Sequence, residues 1–419
     1  MLEIAGLVGV AHPDPERLQW WLRIVPAVAG AAAAGAAFAA ARGLLRRRER
    51  HLLAALVTFS PWLLFFSQNA RFYTPMLAFA TLACFGLLRA WRDADLRAGV
   101  RASGWFVLAV LTHPTAMLLL VGHLAGVLAA ALLRVRPLNR GVVAPLALPL
   151  LLAIPAAIKP ELIARTLGNQ LAAHDAGVES VGGLVMGIGY NVGPVVAALA
   201  LIGLALLWRR DRAWCVHLVA AVALPLAKLM AMAALHKSVE QRYLIALVPL
   251  ALAPAAIAIA TLWERVAARG MEEALVPVAA LLPYAPGVVS NYFDGDRHDL
   301  ARAAEFVAAR LRPGDGIIAK THMLLGRYLP ADFPEHLLLD APPPQTADDV
   351  VQFAGMWRDC PRLWVVVPAE FDDFNEESRS FQRWAWQEGR LQAELWPPRL
   401  DYHQNQLRIF LINPKRTPC

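Results

Sequence analysis

Residues Ser60–Ala90 read SPWLLFFSQNARFYTPMLAFATLACFGLLRA. Two apolar runs, Leu52–Ser67 and Tyr73–Ala90, meet across a short polar segment, Ser67–Phe72, whose single cation is Arg71. Each run is close to the roughly 17–25 residues that a helix needs to cross a hydrocarbon core of about 30 Å. Inside lipid a backbone must satisfy its own hydrogen bonds, and a helix does so within one segment. The stretch therefore predicts a membrane helical hairpin with a polar tip.

The same pattern runs outward in both directions. Further spans are predicted at Trp21–Gly43, Gly141–Ile158, Gly187–Trp208, Ala213–Leu235, Leu244–Trp263 and Glu273–Ser290. Ser103–Leu133 is too long for one crossing and is interrupted by Thr112-His113-Pro114. Proline removes a helix hydrogen bond, so this stretch reads as two spans meeting at a turn. The total is about ten crossings, a polytopic α-helical membrane protein. Composition agrees: 58% of residues are hydrophobic and 17% charged, against about 45–50% and 25% in a soluble domain.

Arginine sets the orientation. The connections near residues 42–50, 89–101, 134–140, 209–212 and 265–269 are rich in it, whereas the alternate connections hold only Arg71, Lys159, Arg165, Lys237 and Arg242. The first set is predicted to be cytoplasmic. This arrangement also accounts for the net charge of +7 and reads against nucleic acid as a partner, because the cations sit at span ends. It puts a short N-terminal segment, 1–20, outside the cytoplasm, followed by a transmembrane domain, 21–290. The remaining residues, 291–419, also fall outside. The abundance of Ala, Arg and Pro hints at a GC-rich bacterial genome, hence an inner-membrane location with a periplasmic or extracellular outer side.

Residues 291–419 change character and read as a soluble α/β domain. Helices are predicted at Asp299–Leu311, Thr346–Asp359 and Glu376–Glu394, and strands at Gly316–Ala319, Leu363–Val367 and Gln406–Ile412. Cys84 and Cys215 fall in or beside spans and read as packing residues. Cys360 and Cys419 lie in the polar region, where pairing is open to them.

The polar outer mouth is the place to look for chemistry. The Arg71 guanidinium suits bidentate contact with a phosphate, and Tyr73 adds a hydroxyl at the same level. Interfacial anchoring by Arg and Tyr is the competing reading. His113, at the helix break, suits either orienting a ligand or bonding a neighbouring carbonyl. The outer loop Lys159–Gly183 carries Glu161, Arg165, His174, Asp175 and Glu179, and reads as a site cover or as a solvated connector. Lys228, inside a span, reads as a snorkelling side chain or a phosphate partner. The glycines at 187, 189 and 193 open a span rather than follow a strand, so they suit close helix packing, not a nucleotide loop. No metal ligand set stands out; an outer carboxylate could recruit a divalent ion, but the spacing shows none.

Several motifs resemble glycosyltransferase family 39, the dolichyl-phosphate-mannose–protein mannosyltransferase type with the GT-C architecture. They are Leu22-Arg23-Ile24-Val25-Pro26, Ser60-Pro61, and Ser67-Gln68-Asn69-Ala70-Arg71-Phe72-Tyr73, where the family often has Glu in place of Asn69. Thr112-His113-Pro114, the segment Arg242-Tyr243 through Pro249, and Arg312-Pro313-Gly314-Asp315 continue the series in the family's order. The resemblance implies transfer of a sugar from a polyprenyl-phosphate donor to an acceptor glycan, lipid or protein on the outer side. It implies an acidic general base and cations that hold the phosphate leaving group. Arg71, Tyr73, Lys237, Arg242 and Tyr243 are the donor-phosphate candidates, with Gln68, His113 and Glu161 as further site candidates. In the family a first span and an acidic first outer loop precede the region matched here, and the chain starts almost at the second span. Asp14 and Glu16 are then the carboxylates left near the membrane mouth to serve as the catalytic base. Two other readings remain open: a non-catalytic relative whose outer domain binds a partner, and a transporter or flippase.

Overall fold

The structure is a computed structural model that describes residues 15–67, 72–158, 181–235, 241–268, 275–289, 300–319, 325–330, 332–334, 337–340, 360–368, 384–395 and 407–413. They fall into two compact units that divide between Val288 and Val289.

The first unit is helical. It comprises α1 (Pro15–Ala40), α2 (Arg47–Phe59), α3 (Pro61–Ser67), α4 (Tyr73–Asp93), α5 (Leu96–Thr112), α6 (Ala116–Leu132), α7 (Val143–Ile158), α8 (Val181–Val192), α9 (Pro194–Arg210), α10 (Arg212–Ala234), α11 (Val248–Ala267), α12 (Leu275–Leu281) and α13 (Ala285–Val289). Short 3-10 turns at Arg140–Val142, Gln241–Leu247 and Leu282–Tyr284 enter α7, α11 and α13. Among the described residues four helices are long and apolar enough to cross a membrane: Arg23–Ala40, Tyr73–Asp93, Arg212–Ala234 and Tyr243–Ala267. The pair α2 and α3 makes a fifth, bent by 56°. α5, α6 and α9 have 17 residues each, about 26 Å of helix, slightly under the core thickness.

Proline and glycine explain where the spans break. The run Leu52–Ser67 bends at Ser60 because Pro61 opens α3 without a backbone N–H to give. The Thr112–Pro114 turn is present between α5 and α6. The run Gly187–Trp208 is not one helix: Gly193 takes φ 77° and Pro194 starts α9. Only glycine adopts that φ without strain.

Core and surface are both apolar here. Leu53, Met76, Phe85 and Phe106 are fully buried, while Leu132, Leu111 and Leu201 are 83%, 76% and 69% exposed. Such an outer face suits hydrocarbon rather than water. Inside, helices approach closely where side chains are absent. A Cβ on Gly122 or Gly126 of α6 would meet backbone oxygens of Ala221 at 2.9 Å and His217 at 2.8 Å on α10.

The second unit holds α14 (Leu300–Ala308) and a five-stranded sheet. Its strands are β1 (Gly316–Ala319), β2 (Leu338–Asp340), β3 (Leu363–Pro368), β4 (Gly389–Leu395) and β5 (Leu407–Ile412), in the order β2-β1-β3-β5-β4. β2, β1 and β3 are parallel; β5 runs antiparallel to β3 and β4. The continuous apolar run of β3 fits a central strand covered on both faces: Val365 packs in one cluster and Trp364 in the other. α14, β1, β3 and β5 lie where the sequence puts them. The helix predicted at Glu376–Glu394 does not persist to its end: after a helical turn at 384–388 the chain becomes β4. Pairing with β5 decides this segment over the helix preference of its Gln, Ala, Glu and Leu. The helix predicted at Thr346–Asp359 lies outside the described residues. Cys360 is buried in the sheet's core, and Cys419 also lies outside the described residues.

Candidate functional site

Three of the residues singled out in sequence meet in space. Tyr73 opens α4, His113 closes α5 and Tyr243 lies in the 3-10 turn before α11. The Tyr73 and His113 rings are 4.9 Å apart and tilted by 40°. The His113 and Tyr243 rings follow at 6.4 Å. Phe66, near the end of α3, also packs against Tyr73, ring centroids 4.8 Å apart. These distances suit tilted aromatic contacts.

The break after α5 positions the histidine. His113 is extended, φ −157° and ψ 128°, as a residue before proline must be. Its Nδ1 accepts from the Thr115 backbone N–H at 3.3 Å and lies 2.8 Å from the Thr115 hydroxyl. Nδ1 is therefore the acceptor, and in the neutral ring Nε2 carries the proton. The Thr115 hydroxyl also reaches the Met76 sulfur at 3.4 Å, tying the turn to α4. On the other side of α4 the buried Thr74 hydroxyl donates to the Pro26 carbonyl of α1 at 3.0 Å. Thr74 and Thr115 were not singled out in sequence. A polar residue flanking a Pro-marked span start is the signal that finds both.

The remaining candidates are placed in part. Glu16 lies on α1 and Arg242 in the turn before α11. Asp14, Gln68, Arg71, Glu161 and Lys237 lie outside the described residues. Arg71 precedes Tyr73 by two positions and Arg242 precedes Tyr243 by one. Lys228 is exposed on α10, as a snorkelling lysine would be.

The opposite end of the unit gathers the Arg-rich connections. Arg210 at the end of α9 donates to both carboxylate oxygens of Glu49 on α2, at 2.8 and 3.1 Å, and to the Leu44 carbonyl at 3.4 Å. Glu49 also accepts from the Arg46 backbone N–H at 2.6 Å and is 3% exposed. Arg92 donates to the Gly43 carbonyl, Arg140 to the Ala94 carbonyl at 2.7 Å, and Arg136 pairs with Asp211 at 3.5 Å. Asp95 and Asp211 cap α5 and α10.

Residues 16–158 match the family "Dolichyl-phosphate-mannose-protein mannosyltransferase". That is about a third of the chain, from α1 through α7, and it includes Tyr73 and His113. The family is one of glycosyltransferases. The motifs from Leu22–Pro26 to Thr112–Pro114 fall inside the match; those at Arg242–Pro249 and Arg312–Asp315 fall beyond it. Two solved structures align along most of the chain. One is ArnT from Cupriavidus metallidurans in the apo state, at 13% identity and TM-score 0.48, covering 94% of this chain and 83% of that one. The other is ArnT from the same organism bound to undecaprenyl phosphate, at 14% identity and TM-score 0.49, covering 95% and 84%. No curated protein matches the chain.

Proposed function

We propose that this protein is a membrane glycosyltransferase that moves a sugar from a polyprenyl-phosphate carrier to an acceptor on the extracytoplasmic side. The observation that carries this reading is the Tyr73–His113–Tyr243 cluster. Three segments far apart in sequence bring donor side chains together at the end of the bundle away from the Arg-rich connections.

Transfer from such a carrier develops charge on the departing phosphate, and preformed donors aimed at it lower the barrier. In this reading the Tyr73 and Tyr243 hydroxyls and the His113 Nε2–H would supply neutral donors. Arg71, two positions before Tyr73, Arg242, one before Tyr243, and Lys237 add positive charge, with Gln68 as a further polar contact. Charge-assisted hydrogen bonds are roughly twice as strong as neutral ones. The acceptor hydroxyl must lose a proton to a carboxylate as it attacks. Asp14 and Glu16 are the candidates for that base, with Glu161 as a further carboxylate on the same side. The positive-inside rule makes the Arg-rich end cytoplasmic. It sends the Tyr73 end, and the C-terminal unit with it, to the outer side of a bacterial inner membrane.

The test is transfer of a labelled sugar from a polyprenyl-phosphate donor by the purified protein in liposomes. Arg71→Ala should abolish transfer while the protein inserts and purifies normally. Full transfer by that variant would take Arg71 out of the site.

A further inference from the structure

The second unit contains a basic cavity that the proposed transfer reaction does not use. It is an open depression with a volume of about 400 Å³, lined by Arg310, Arg312, Arg362, Gln392, Trp364 and Leu411 among others. No carboxylate faces it among the described lining residues.

A buried acid holds one of its arginines in place. Arg312-Pro313-Gly314-Asp315 is a type II turn, closed by the Asp315 N–H on the Arg312 carbonyl at 3.0 Å, with Gly314 at φ 85°. The turn delivers Asp315, 1% exposed, to the Arg362 guanidinium. Its carboxylate accepts from Arg362 Nε at 3.0 Å, Arg362 Nη2, Trp364 Nε1 at 3.1 Å and the Arg312 N–H at 2.9 Å. Arg362 Nη2 also donates to the Arg310 carbonyl at 2.7 Å. The Arg362 fork is thus fixed before any ligand arrives, and its Nη1 carries no partner among the described residues. Arg310 lies over the Phe306 ring at 3.8 Å and is held in turn by the Phe306 carbonyl. Arg312 is exposed at the rim. Asp315 offsets one guanidinium, so the cavity keeps an excess of positive charge.

We infer that this cavity binds an anionic carbohydrate, a sugar bearing a phosphate or carboxylate. The exposed Arg312 fork matches either group bidentately and Arg362 Nη1 adds one more donor, while the Gln392 amide oxygen suits a sugar hydroxyl, its nitrogen already donating to the Arg390 carbonyl at 3.1 Å. That such a ligand is the acceptor rests on the glycosyltransferase reading. Binding itself does not, because it is measured without donor or transfer.

The experiment uses the full chain in phosphatidylcholine nanodiscs, titrated with glucose 1-phosphate, glucuronate and glucose by calorimetry. The two anions should bind at least about tenfold tighter than glucose. Arg312→Ala should collapse that ratio toward one while leaving the melting curve unchanged. Arg302→Ala, two turns away on α14, should keep it. Repeating the titration in phosphatidylglycerol discs separates the sources: loss of sugar-anion binding there would assign the anion to a lipid headgroup. Equal binding of glucose and glucose 1-phosphate, an unchanged ratio in Arg312→Ala, or an equal collapse in Arg302→Ala would each overturn the inference.

Discussion

At one end of the helical unit the polar groups are tied to protein; at the other they are gathered into a cluster. Glu49 takes Arg210 and the Arg46 N–H, Arg136 takes Asp211, and Arg92 and Arg140 close on backbone carbonyls. Apart from the local Arg46 cap, each of these contacts joins one connection to another. Tyr73, His113 and Tyr243 instead meet one another, ring to ring. Charge that orients a chain in the membrane can also fasten it, and the fastened end leaves little for a ligand. The comparison teaches that an arginine cluster can be structural: at the Arg-rich end the described cations are already partnered within the protein.

The largest test breaks the fastened end. Glu49→Ala would leave Arg210 without its partner. Breaking a buried pair typically costs about 3–5 kcal/mol. Because the Arg210 side chain is 36% exposed, about 2–4 kcal/mol is expected here. Thermal unfolding in detergent should show a marked fall in Tm, while the protein that remains folded transfers sugar at the normal rate. The double variant Glu49→Leu with Arg210→Met should recover most of the stability, since it removes both charges together. A Glu49→Ala protein of full stability but lost transfer would reverse the assignment of the two ends.

The second test works on the cluster and should give the mirror pattern. Tyr73→Phe keeps the ring contacts with Phe66 and His113 and removes one hydroxyl. A hydrogen bond to a charged group is worth about 1.5–3 kcal/mol, so kcat/KM should fall roughly 10- to 150-fold with little change in Tm. A fall in stability with full transfer would make Tyr73 a packing residue.

This division was half legible in sequence. Arginine clustering marked the Arg-rich connections, because orientation leaves its trace in local composition. The Thr112–Pro114 turn was legible because proline acts locally on its own helix. The Glu49–Arg210 pair was not: its partners are 161 positions apart, and a glutamate among arginines reads as a solvated charge. β4 was misread for a similar reason. Its neighbour β5 supplies the pairing, and GRLQAEL taken alone favours a helix. The three-residue β2 is too short to show a period of two. Of the candidate cluster, the aromatic and histidine members were singled out through Pro and Arg motifs; Thr74 and Thr115 flank Pro75 and Pro114, but their partners, the Pro26 carbonyl and the Met76 sulfur, depend on how the helices pack.

A third polar pair lies within the helical unit and sharpens the comparison from the weak side. His123 of α6 and His217 of α10 are fully buried, with Nδ1 and Nε2 3.0 Å apart. Their other ring nitrogens have no partner among the described residues. His217 follows the Asp211 cap by six positions, so it belongs toward the fastened end, and Trp91 lies 5.9 Å from it. Hydrogen bonds between membrane helices average about 0.6 kcal/mol and reach at most about 1.7. With two buried nitrogens unsatisfied, this one belongs near the lower figure. His217→Leu should therefore shift Tm only slightly and leave transfer intact. The close approach of α6 at Gly122 and Gly126 is what holds this contact, so Gly126→Leu should cost more than losing the imidazole. If His217→Leu instead abolished transfer without unfolding the protein, the site would extend through the bundle and the contrast between its ends would fail.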